Sequence, residues 1–311
     1  MGERLICIQE VRSSILLGST NYTLVKCVGD CQKVHMKVCA MTMVYQDHWA
    51  LAQWVKHYSQ LVGLEHLYIV AHGKDERVDQ IAKGANIITI PRDTLEGFDS
   101  TRSRILNGLQ ASLSNVFDWV VRVDVDELIV LDTSIYKTLQ SALQNCTKDA
   151  VFAVGCDLAQ NDTGYDVLFT GHYSKAFAVS DDTRLFRHGV KLRSKLIDRY
   201  SFQKPQGIYL VHLKYANVDE LIKANAHRST VANGEGRGLP GKDWQQADKR
   251  AELFFAKLAD MQNIPWSDAS SDAYSRLSVD PIRDTEQSIV RARSLRFKQK
   301  TTPPTWFPKL D

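Results

Sequence analysis

The chain lacks most of the features that mark secreted, membrane-spanning or disulfide-stapled proteins. Its 311 residues include six cysteines and eight prolines, which is too few for a dense disulfide framework or a proline-rich linker. No apolar stretch reaches the length of a membrane span. Leu5–Ile8 is too short for the apolar core of a signal peptide, and Glu10 and Arg12 follow it directly. We therefore expect a cytoplasmic protein with reduced thiols.

An excess of charge of one sign is also missing. Lys and Arg total 39 and Asp and Glu total 36, so the net charge is +3. This value is too small to predict a nucleic-acid partner. The hydrophobic content of 44% and the charged content of 24% are ordinary for a globular protein. A chain of this length predicts one large α/β domain, or a medium domain with a small appendage.

From Val38 onwards, apolar strands alternate with amphipathic helices. The strands are predicted at residues 38–45, 66–70, 86–90 and 119–123. The helices between them are predicted at residues 47–63, 75–83 and 99–117, the last one capped by Asp99 or Ser100. This alternation predicts a parallel sheet with helices on both faces.

The pattern loosens after Leu131, which predicts a mixed second half. Short strands are predicted at residues 151–154, 176–179, 184–186 and 208–211, and helices at residues 218–231 and 243–261. Arg291–Lys298 is basic and partly amphipathic, which predicts a terminal helix with peripheral contact to the inner face of a membrane as a candidate role. We divide the chain into a stranded N-terminal extension (residues 1–37), a main domain (38–262) and a C-terminal extension with the basic helix and a tail (263–311).

The most informative segment is an acidic motif between two apolar runs. Asp124–Glu127 follows the fourth predicted strand, Trp119–Val123, and precedes Leu128–Leu131. Burial of carboxylates is costly unless something neutralises them. Carboxylate oxygens at a strand end suit a divalent cation such as Mg²⁺ or Mn²⁺. Because parallel sheets bind ligands beyond the carboxyl ends of their strands, this motif is expected to face a ligand.

The pattern resembles the GT-A glycosyltransferases, close to the family-2 group that carries Asp-x-Asp-Glu after an apolar strand. The resemblance covers residues 38–244 and rests on Val44–Gln46, Phe98–Asn107, the acidic motif and Tyr209–Lys214. It implies a GT-A-like single α/β domain, with a mostly parallel half-sheet for the nucleotide and a mixed half for the acceptor. It also implies metal-dependent transfer of a sugar from a nucleotide-sugar to a glycan, lipid or other hydroxyl acceptor, as in polysaccharide biosynthesis.

The resemblance implies roles for individual residues. Asp126 would coordinate Mn²⁺ or Mg²⁺, and Asp124 would contact the ribose or the metal. His212 is a candidate for completing the metal site, although a strand-end histidine bonded to backbone is an equal alternative. Arg102 and Arg104 are candidate contacts to the donor. Being two residues apart, they diverge by roughly 200° on a helix, so we expect only one to face the site.

The sequence offers candidates, without deciding among them, for two contacts to the donor and for the catalytic base. Tyr45 is a candidate for stacking on the nucleobase, with simple packing as the alternative. His72 stands where family members commonly have an acidic segment after the second strand, so it is a candidate substitute. An inverting transferase needs a carboxylate to take the proton of the acceptor hydroxyl. The candidates for this base are Asp157, Asp181 and Asp182.

Two other functions compete with glycosyl transfer. A haloacid-dehalogenase-like phosphatase also uses Asp-x-Asp after an apolar strand, with a lysine and a late acidic pair, which Lys175 and Asp181–Asp182 supply. That family places its motif on the first strand, whereas three predicted strands precede it here. The second alternative is a non-catalytic module that binds a nucleotide-sugar. Nucleotidyl transfer is disfavoured because no glycine-rich, lysine-containing loop follows the first strand.

Overall fold

Buried parallel strands form the centre of the protein, which is described by a computed structural model. The structure describes residues 36–92, 97–147, 149–234 and 239–311. The predicted N-terminal extension lies outside these residues, except for positions 36 and 37. The first four strands of the described residues are β1 (Val38–Val44), β2 (Leu67–His72), β3 (Asn86–Ile90) and β4 (Trp119–Arg122). Every residue of β1 is buried, which is typical of a strand covered on both faces.

The main sheet has six strands. Besides the first four, it contains β6 (Ala150–Phe152) and β9 (Ala176–Val179), and its order is β3-β2-β1-β4-β9-β6. β1 pairs in parallel with β2 and with β4, and β2 pairs in parallel with β3. β9 runs antiparallel to β4 and to β6. The prediction of a mostly parallel sheet is confirmed, and the acidic motif follows its fourth strand.

The second half of the chain forms smaller sheets. One has the order β5-β12-β7-β8 and consists of β5 (Glu127–Leu131), β7 (Val154–Asn161), β8 (Gly164–Phe169) and β12 (Ile208–Tyr215). Another is antiparallel and consists of β10 (Arg184–Phe186), β11 (Gly189–Lys191), β14 (Ile282–Asp284) and β15 (Ile289–Arg291). A parallel pair is formed by β13 (Gln262–Asn263) and β16 (Gln299–Lys300).

Helices flank these sheets. They are α1 (His48–Val62), α2 (Glu76–Ile81), α3 (Phe98–Leu113), α4 (Leu139–Leu143), α5 (Val218–Ala232), α6 (Lys242–Gln245), α7 (Ala247–Ala259) and α8 (Trp266–Leu277). Single 3-10 turns lie at Leu64–His66 and Ser194–Leu196. The helix predicted at residues 243–261 is interrupted at Gln246. α3 begins after Gly97, whose φ of 66° is left-handed, so Asp99 and Ser100 occupy its first turn instead of capping it.

Each face of the main sheet buries its own hydrophobic cluster. Val38 and Ala40 of β1 face the cluster that includes α1 and the second sheet. Cys39 and Met41 face the opposite cluster, which includes Leu106 of α3. Alternation along β1 therefore explains why both faces are covered. The carboxyl edge of the sheet is the place left for a ligand.

The C-terminal basic segment is not a helix, and that prediction is wrong. Arg291 ends β15, which pairs with β11 and β14. Arg296 forms an isolated bridge with Thr170. Pairing with strands that are distant in sequence outweighs the local amphipathic pattern that favoured a helix. Arg293 and Lys298 remain exposed.

Residues 263–311 share the core of the preceding residues. Ala273 and Leu277 of α8, together with Phe297 and Phe307, are buried in the cluster that contains α1. Residues Met36–Asp311 form one compact unit. Within the described part of the chain, no helix has the length and apolar character needed to cross a membrane.

Candidate active site

The acidic motif lies in the turn that connects the main sheet to the second sheet. β4 ends at Arg122 and β5 begins at Glu127, so Asp124–Asp126 cross between the two sheets. The backbone N–H of Glu127 donates to the carbonyl oxygen of Asp124 at 3.1 Å. The Oε2 atom of Glu127 accepts from the backbone N–H of Asp124 at 3.0 Å. These two bonds between Asp124 and Glu127 close the turn that carries both aspartates.

Neighbouring elements hold this turn from two sides. Tyr58 of α1 is fully buried, and its hydroxyl donates to the carbonyl oxygen of Glu127 at 3.3 Å and accepts from the backbone N–H of Ile129 at 2.8 Å. The backbone N–H of Leu213 in β12 donates to the carbonyl oxygen of Asp126 at 2.7 Å. These contacts to backbone atoms of the motif fix its position between the two sheets.

A cleft of about 1340 Å³ opens at the carboxyl ends of β1, β2 and β4. The acidic motif, α3, α5 and the segment Thr170–Lys175, here called the β8–β9 loop, contribute to its lining. The cationic side chains that line it are Arg77, Arg92, Arg102, Lys214, Lys223 and Arg228. This volume exceeds the range of about 300–1,000 Å³ that is usual for small-ligand sites. Carboxylates also line the cleft, namely Asp47, Asp99, Asp124, Asp126, Glu127 and Glu220. The cleft therefore has the size for a large ligand and offers it both cations and carboxylates.

Asp124 is neutralised by cations of the protein itself. The Nζ atom of Lys175 lies 2.8 Å from Asp124 Oδ2, and Arg102 donates to Asp124 Oδ1. Burial opposes the ionised form of Asp124, but Lys175 and Arg102 outweigh burial and hold the pKa of this carboxyl well below its usual value. Both oxygens of Asp124 are engaged in this ion-pair network.

Glu127 belongs to the same network. Its side chain is 1% exposed, and its Oε2 atom lies 2.8 Å from Lys175 Nζ. Burial raises the pKa of Glu127; Lys175 opposes this effect, whereas Asp124 and Asp126 add to it. Lys175 is thus shared between the buried carboxylate of Glu127 and the partly exposed carboxylate of Asp124, and its charge offsets the cost of burying Glu127.

A second line of charged side chains runs from the cleft into the second sheet. The Nε2 atom of His212 lies 3.3 Å from Asp126 Oδ2, and its Nδ1 atom lies 2.7 Å from Asp157 Oδ1. In the strand register, His212 stands beside Glu127 of β5 and Asp157 of β7. The ring of Tyr173 stacks on the imidazole with centroids 3.8 Å apart. His212 therefore has a fixed ring orientation, with Nε2 towards Asp126.

The charges in this line stabilise one another. Burial opposes protonation of His212, but Asp126 and Asp157 outweigh burial and raise the pKa of this imidazole to about 9. Burial also opposes ionisation of Asp126, but His212 and Arg228 outweigh it and lower the pKa of this carboxyl to about 2. The Nη2 atom of Arg228 lies 3.8 Å from Asp126 Oδ2. At neutral pH, Asp126 is therefore ionised and lies between two cations.

Asp126 and His212 are a donor pair that fits a divalent cation. Their 3.3 Å separation is close to that of adjacent ligands at bond lengths of about 2.1 Å. Asp157 on the opposite ring nitrogen is the usual partner of a metal-bound histidine. Among the described residues, no three His, Cys, Asp or Glu side chains converge as a metal cluster. Water or ligand oxygens would complete the coordination, as is common for Mg²⁺.

Most of the predicted donor contacts line the cleft. Tyr45, His72 and Arg102 are among its lining residues. The guanidinium carbon of Arg92 lies 3.4 Å from the centroid of the Tyr45 ring, and its Nη1 atom donates to His72 Nδ1 at 2.9 Å. Arg104 is exposed and lies outside the lining, so one of the two predicted arginines faces the site. Stacking of a nucleobase on Tyr45 stays a prediction.

The three predicted base candidates are outside the set of residues that line the cleft. Asp157 is 6% exposed and lies behind His212, to which it is hydrogen bonded. Asp181 and Asp182 follow the C-terminal end of β9, which runs antiparallel to β4. The end of β9 therefore lies at the edge of the sheet opposite Asp124. This nonlocal pairing places Asp181 and Asp182 away from the acidic motif.

The sequence analysis missed the β8–β9 loop as part of the site. This loop brings His172, Tyr173 and Lys175 to the motif. A Cβ atom at Gly155 would lie 2.2 Å from the carbonyl carbon of Tyr173, and one at Gly171 would lie 2.0 Å from a backbone oxygen of the C-terminal segment. The two glycines thus allow the loop to pack tightly on both sides. The available signal was the polar run Thr170–Lys175 between two apolar strands.

The chain has distant similarities to solved structures, but no protein-family model and no curated protein matches it. It is similar to a cytidylyltransferase from Leptospira borgpetersenii serovar Hardjo-bovis, with a TM-score of 0.26 and 15% identity over 38% of this chain and 54% of that one. The chain thus spans about half the length of that structure.

Two further structures show similarities of the same kind. The first is CMP:2-keto-3-deoxy-manno-octonic acid synthetase complexed with CTP, with a TM-score of 0.28 and 12% identity over 71% of this chain and 86% of that one. The second is a mannose-1-phosphate geranyltransferase from Thermus thermophilus, with a TM-score of 0.27 and 10% identity over 86% of this chain and 73% of that one. Similarities this distant assign no activity to the chain.

Proposed function

We propose that this protein is a metal-dependent glycosyltransferase of the GT-A type. It would transfer a sugar from a nucleotide-sugar to a hydroxyl group of a glycan or lipid-linked acceptor. The observation that carries the proposal is the pair Asp126 and His212, braced by Asp157, at the carboxyl edge of a parallel sheet. The pair faces a cleft lined with arginine and lysine side chains. Metal ligands beside several cations are the chemistry that a diphosphate requires.

The donor diphosphate would bind next to the acidic motif. Asp126 and His212 would hold Mn²⁺ or Mg²⁺, which when bound neutralises charge on the departing diphosphate. Arg228 lies 3.8 Å from Asp126 and lines the cleft, so its guanidinium is placed for a phosphate oxygen. Arg102 donates to Asp124, and its remaining N–H groups would contact the diphosphate from the same side of the cleft as Asp124. The nucleoside would lie along the ends of β1 and β2.

The acceptor would occupy the part of the cleft beyond β4. Tyr173 of the β8–β9 loop lines that part. The backbone N–H of Gly171 in the same loop donates to the carbonyl oxygen of Leu295 at 2.9 Å. The exposed Arg293 and Lys298 flank this contact in the chain. Peripheral contact of these cations with an anionic lipid surface is therefore proposed on the acceptor side of the molecule.

The phosphatase alternative has less support from the geometry. A phosphatase of that type needs an aspartate of the motif as a free nucleophile, but both oxygens of Asp124 are paired with cations. Lys175 reaches the motif, whereas Asp181 and Asp182 lie at the opposite edge of the sheet. The lysine and the late acidic pair thus fail to meet at one site. The motif also follows the fourth strand of the sheet.

We expect the protein to bind UDP or GDP tightly only when Mn²⁺ is present. Asp126→Ala should lower that affinity by about 100-fold or more, because one of the two protein ligands is lost. Isothermal titration calorimetry with each nucleotide, with and without Mn²⁺, measures this effect. Asp162→Ala is the matched control, since Asp162 is exposed in the turn between β7 and β8. Equal binding by wild type and Asp126→Ala, or no binding by either, would contradict the proposal.

A further inference from the structure

Three aromatic rings surround the part of the cleft on the β9 side of β4. His172 and Tyr173 come from the β8–β9 loop, and His188 comes from the turn between β10 and β11. The His172 ring centroid lies 4.9 Å from that of Tyr173 and 4.6 Å from that of His188. Tyr173 in turn stacks on His212 at 3.8 Å. These rings therefore adjoin the proposed reaction centre, on the side away from Tyr45 and the nucleoside.

His188 has a fixed backbone conformation, and its ring binds the backbone of His172. Arg187 and His188 have φ values of 46° and 67°, which a two-residue hairpin turn requires and which side chains other than glycine or asparagine rarely adopt. The Nδ1 atom of His188 lies 2.6 Å from the carbonyl oxygen of His172. Because a carbonyl oxygen only accepts, Nδ1 carries the proton and donates. This bond fixes the backbone from which the His172 ring projects.

The His172 ring is available for a proton. It is exposed and lines the cleft, and its hydrogen bonds to described residues are made through backbone atoms only. The carboxylates of the acidic motif and Asp157 are already engaged. Asp124 and Glu127 pair with Lys175, and Asp126 and Asp157 pair with His212. Asp47 also lines the cleft, but it caps α1 by accepting from the backbone N–H of Ala50. His172 is thus the base that these contacts leave uncommitted on the β8–β9 side of the cleft.

The surroundings of His172 favour its neutral form. The charged and titratable groups that face it are Tyr173, Asp157, Lys175, His188, His212 and Arg291. Although part of the His172 side chain is open to solvent, desolvation by its neighbours lowers the pKa of the imidazole; Asp157 opposes this effect, whereas the nearby cations add to it. At neutral pH the ring therefore has an unprotonated nitrogen, which is what a proton acceptor needs.

We propose that His172 is the catalytic base of the transfer and that His188 is its positioning residue. This assignment rests on the proposed function. The acceptor oxygen attacks the anomeric carbon of the sugar while the bond from that carbon to the diphosphate oxygen breaks. The electron pair of that bond stays on the diphosphate, and the hydroxyl proton passes to His172. Attack from the side opposite the leaving group inverts the anomeric configuration. The flat rings with polar edges suit a carbohydrate acceptor.

Donor hydrolysis tests this assignment, with water as the probe acceptor. Wild type, His172→Gln, His172→Ala and His188→Asn are incubated with a panel of UDP- and GDP-sugars and Mn²⁺, and release of nucleoside diphosphate is measured across pH. We expect His172→Gln to lower kcat by about 100-fold to 10,000-fold, with unchanged calorimetric affinity for the nucleoside diphosphate. Because Mn²⁺ binding itself weakens at low pH, Mn²⁺ is kept saturating at every pH. Wild-type kcat should then show an acidic limb that lies below pH 6.5, the ordinary pKa of histidine, and His172→Gln should lose this limb.

Chemical rescue separates a base from a structural residue. Added imidazole should restore part of the activity of His172→Ala, and His188→Asn should keep the acidic limb with a smaller loss of kcat. Unchanged kcat in His172→Gln would overturn the assignment and leave the proposed function intact. A loss that imidazole leaves unrestored, with the acidic limb still present, would also overturn it. If wild type releases no nucleoside diphosphate from any donor, the proposed function fails and this assignment fails with it.

Discussion

Lys175→Met is expected to lower the free energy of unfolding by about 3–5 kcal/mol. Lys175 is 9% exposed and lies 2.8 Å from both Asp124 and Glu127. Its removal leaves Glu127, which is 1% exposed, without its cation. A buried carboxylate that loses its partner retains the full cost of its desolvation. Urea denaturation of wild type and variant, analysed with a common slope, measures the difference.

Two companion variants show whether charge is the cause. Lys175→Arg keeps the cation and should recover most of the stability. Lys175→Met combined with Glu127→Gln removes both members of the pair, so it should be more stable than Lys175→Met alone. A loss below about 1 kcal/mol for Lys175→Met would contradict the ion-pair account, since that value is typical of exposed salt bridges.

The affinity for Mn²⁺ is expected to rise by about 100-fold between pH 6 and pH 8. Asp126 and Asp157 raise the pKa of His212 to about 9 despite its burial. A metal needs the unprotonated Nε2 atom, so binding must displace a proton, and affinity falls about tenfold for each pH unit below that pKa. Asp126, with a pKa of about 2, is ionised throughout this range and adds no pH dependence.

Calorimetry can count the displaced proton. Titrations of Mn²⁺ in buffers with different ionisation enthalpies should show about one proton released for each metal ion at pH 7. Asp157→Asn removes one of the carboxylates that raise the pKa of His212, so it should flatten the pH dependence. An Mn²⁺ affinity that stays constant between pH 6 and pH 8 would show that His212 is not a ligand.

The parallel half of the fold follows from local sequence, because a strand buried on both faces is visible as an unbroken apolar run. β1 and β4 belong to this class. The C-terminal basic segment shows the limit of such reasoning. Its pattern favours a helix, but Arg291 belongs to β15. This strand pairs with β14 and with β11, and β11 lies about a hundred residues earlier in the chain. Pairing over such distances depends on the assembled fold, which local periodicity does not encode.

The candidate site also contains some residues that the sequence predicts and others whose roles depend on the assembled fold. Asp126, His212 and Arg102 were predicted from motifs, and the structure brings them to one cleft. Asp157 was predicted as a base, but the parallel register of β12 and β7 places it beside His212 instead. Lys175 reaches the motif because β9 inserts antiparallel to β4. Roles that depend on strand register were therefore beyond the reach of the sequence.

Identification of the products that wild type forms from nucleotide-sugars tests the central claim most directly. The protein is incubated with UDP- and GDP-sugars and Mn²⁺, and the products are separated by chromatography. We predict that nucleoside diphosphate and sugar appear together, that both require Mn²⁺, and that Asp126→Ala forms neither. Release of sugar phosphate, which marks cleavage within the diphosphate, would contradict glycosyl transfer. Failure to turn over every donor tested would contradict it equally.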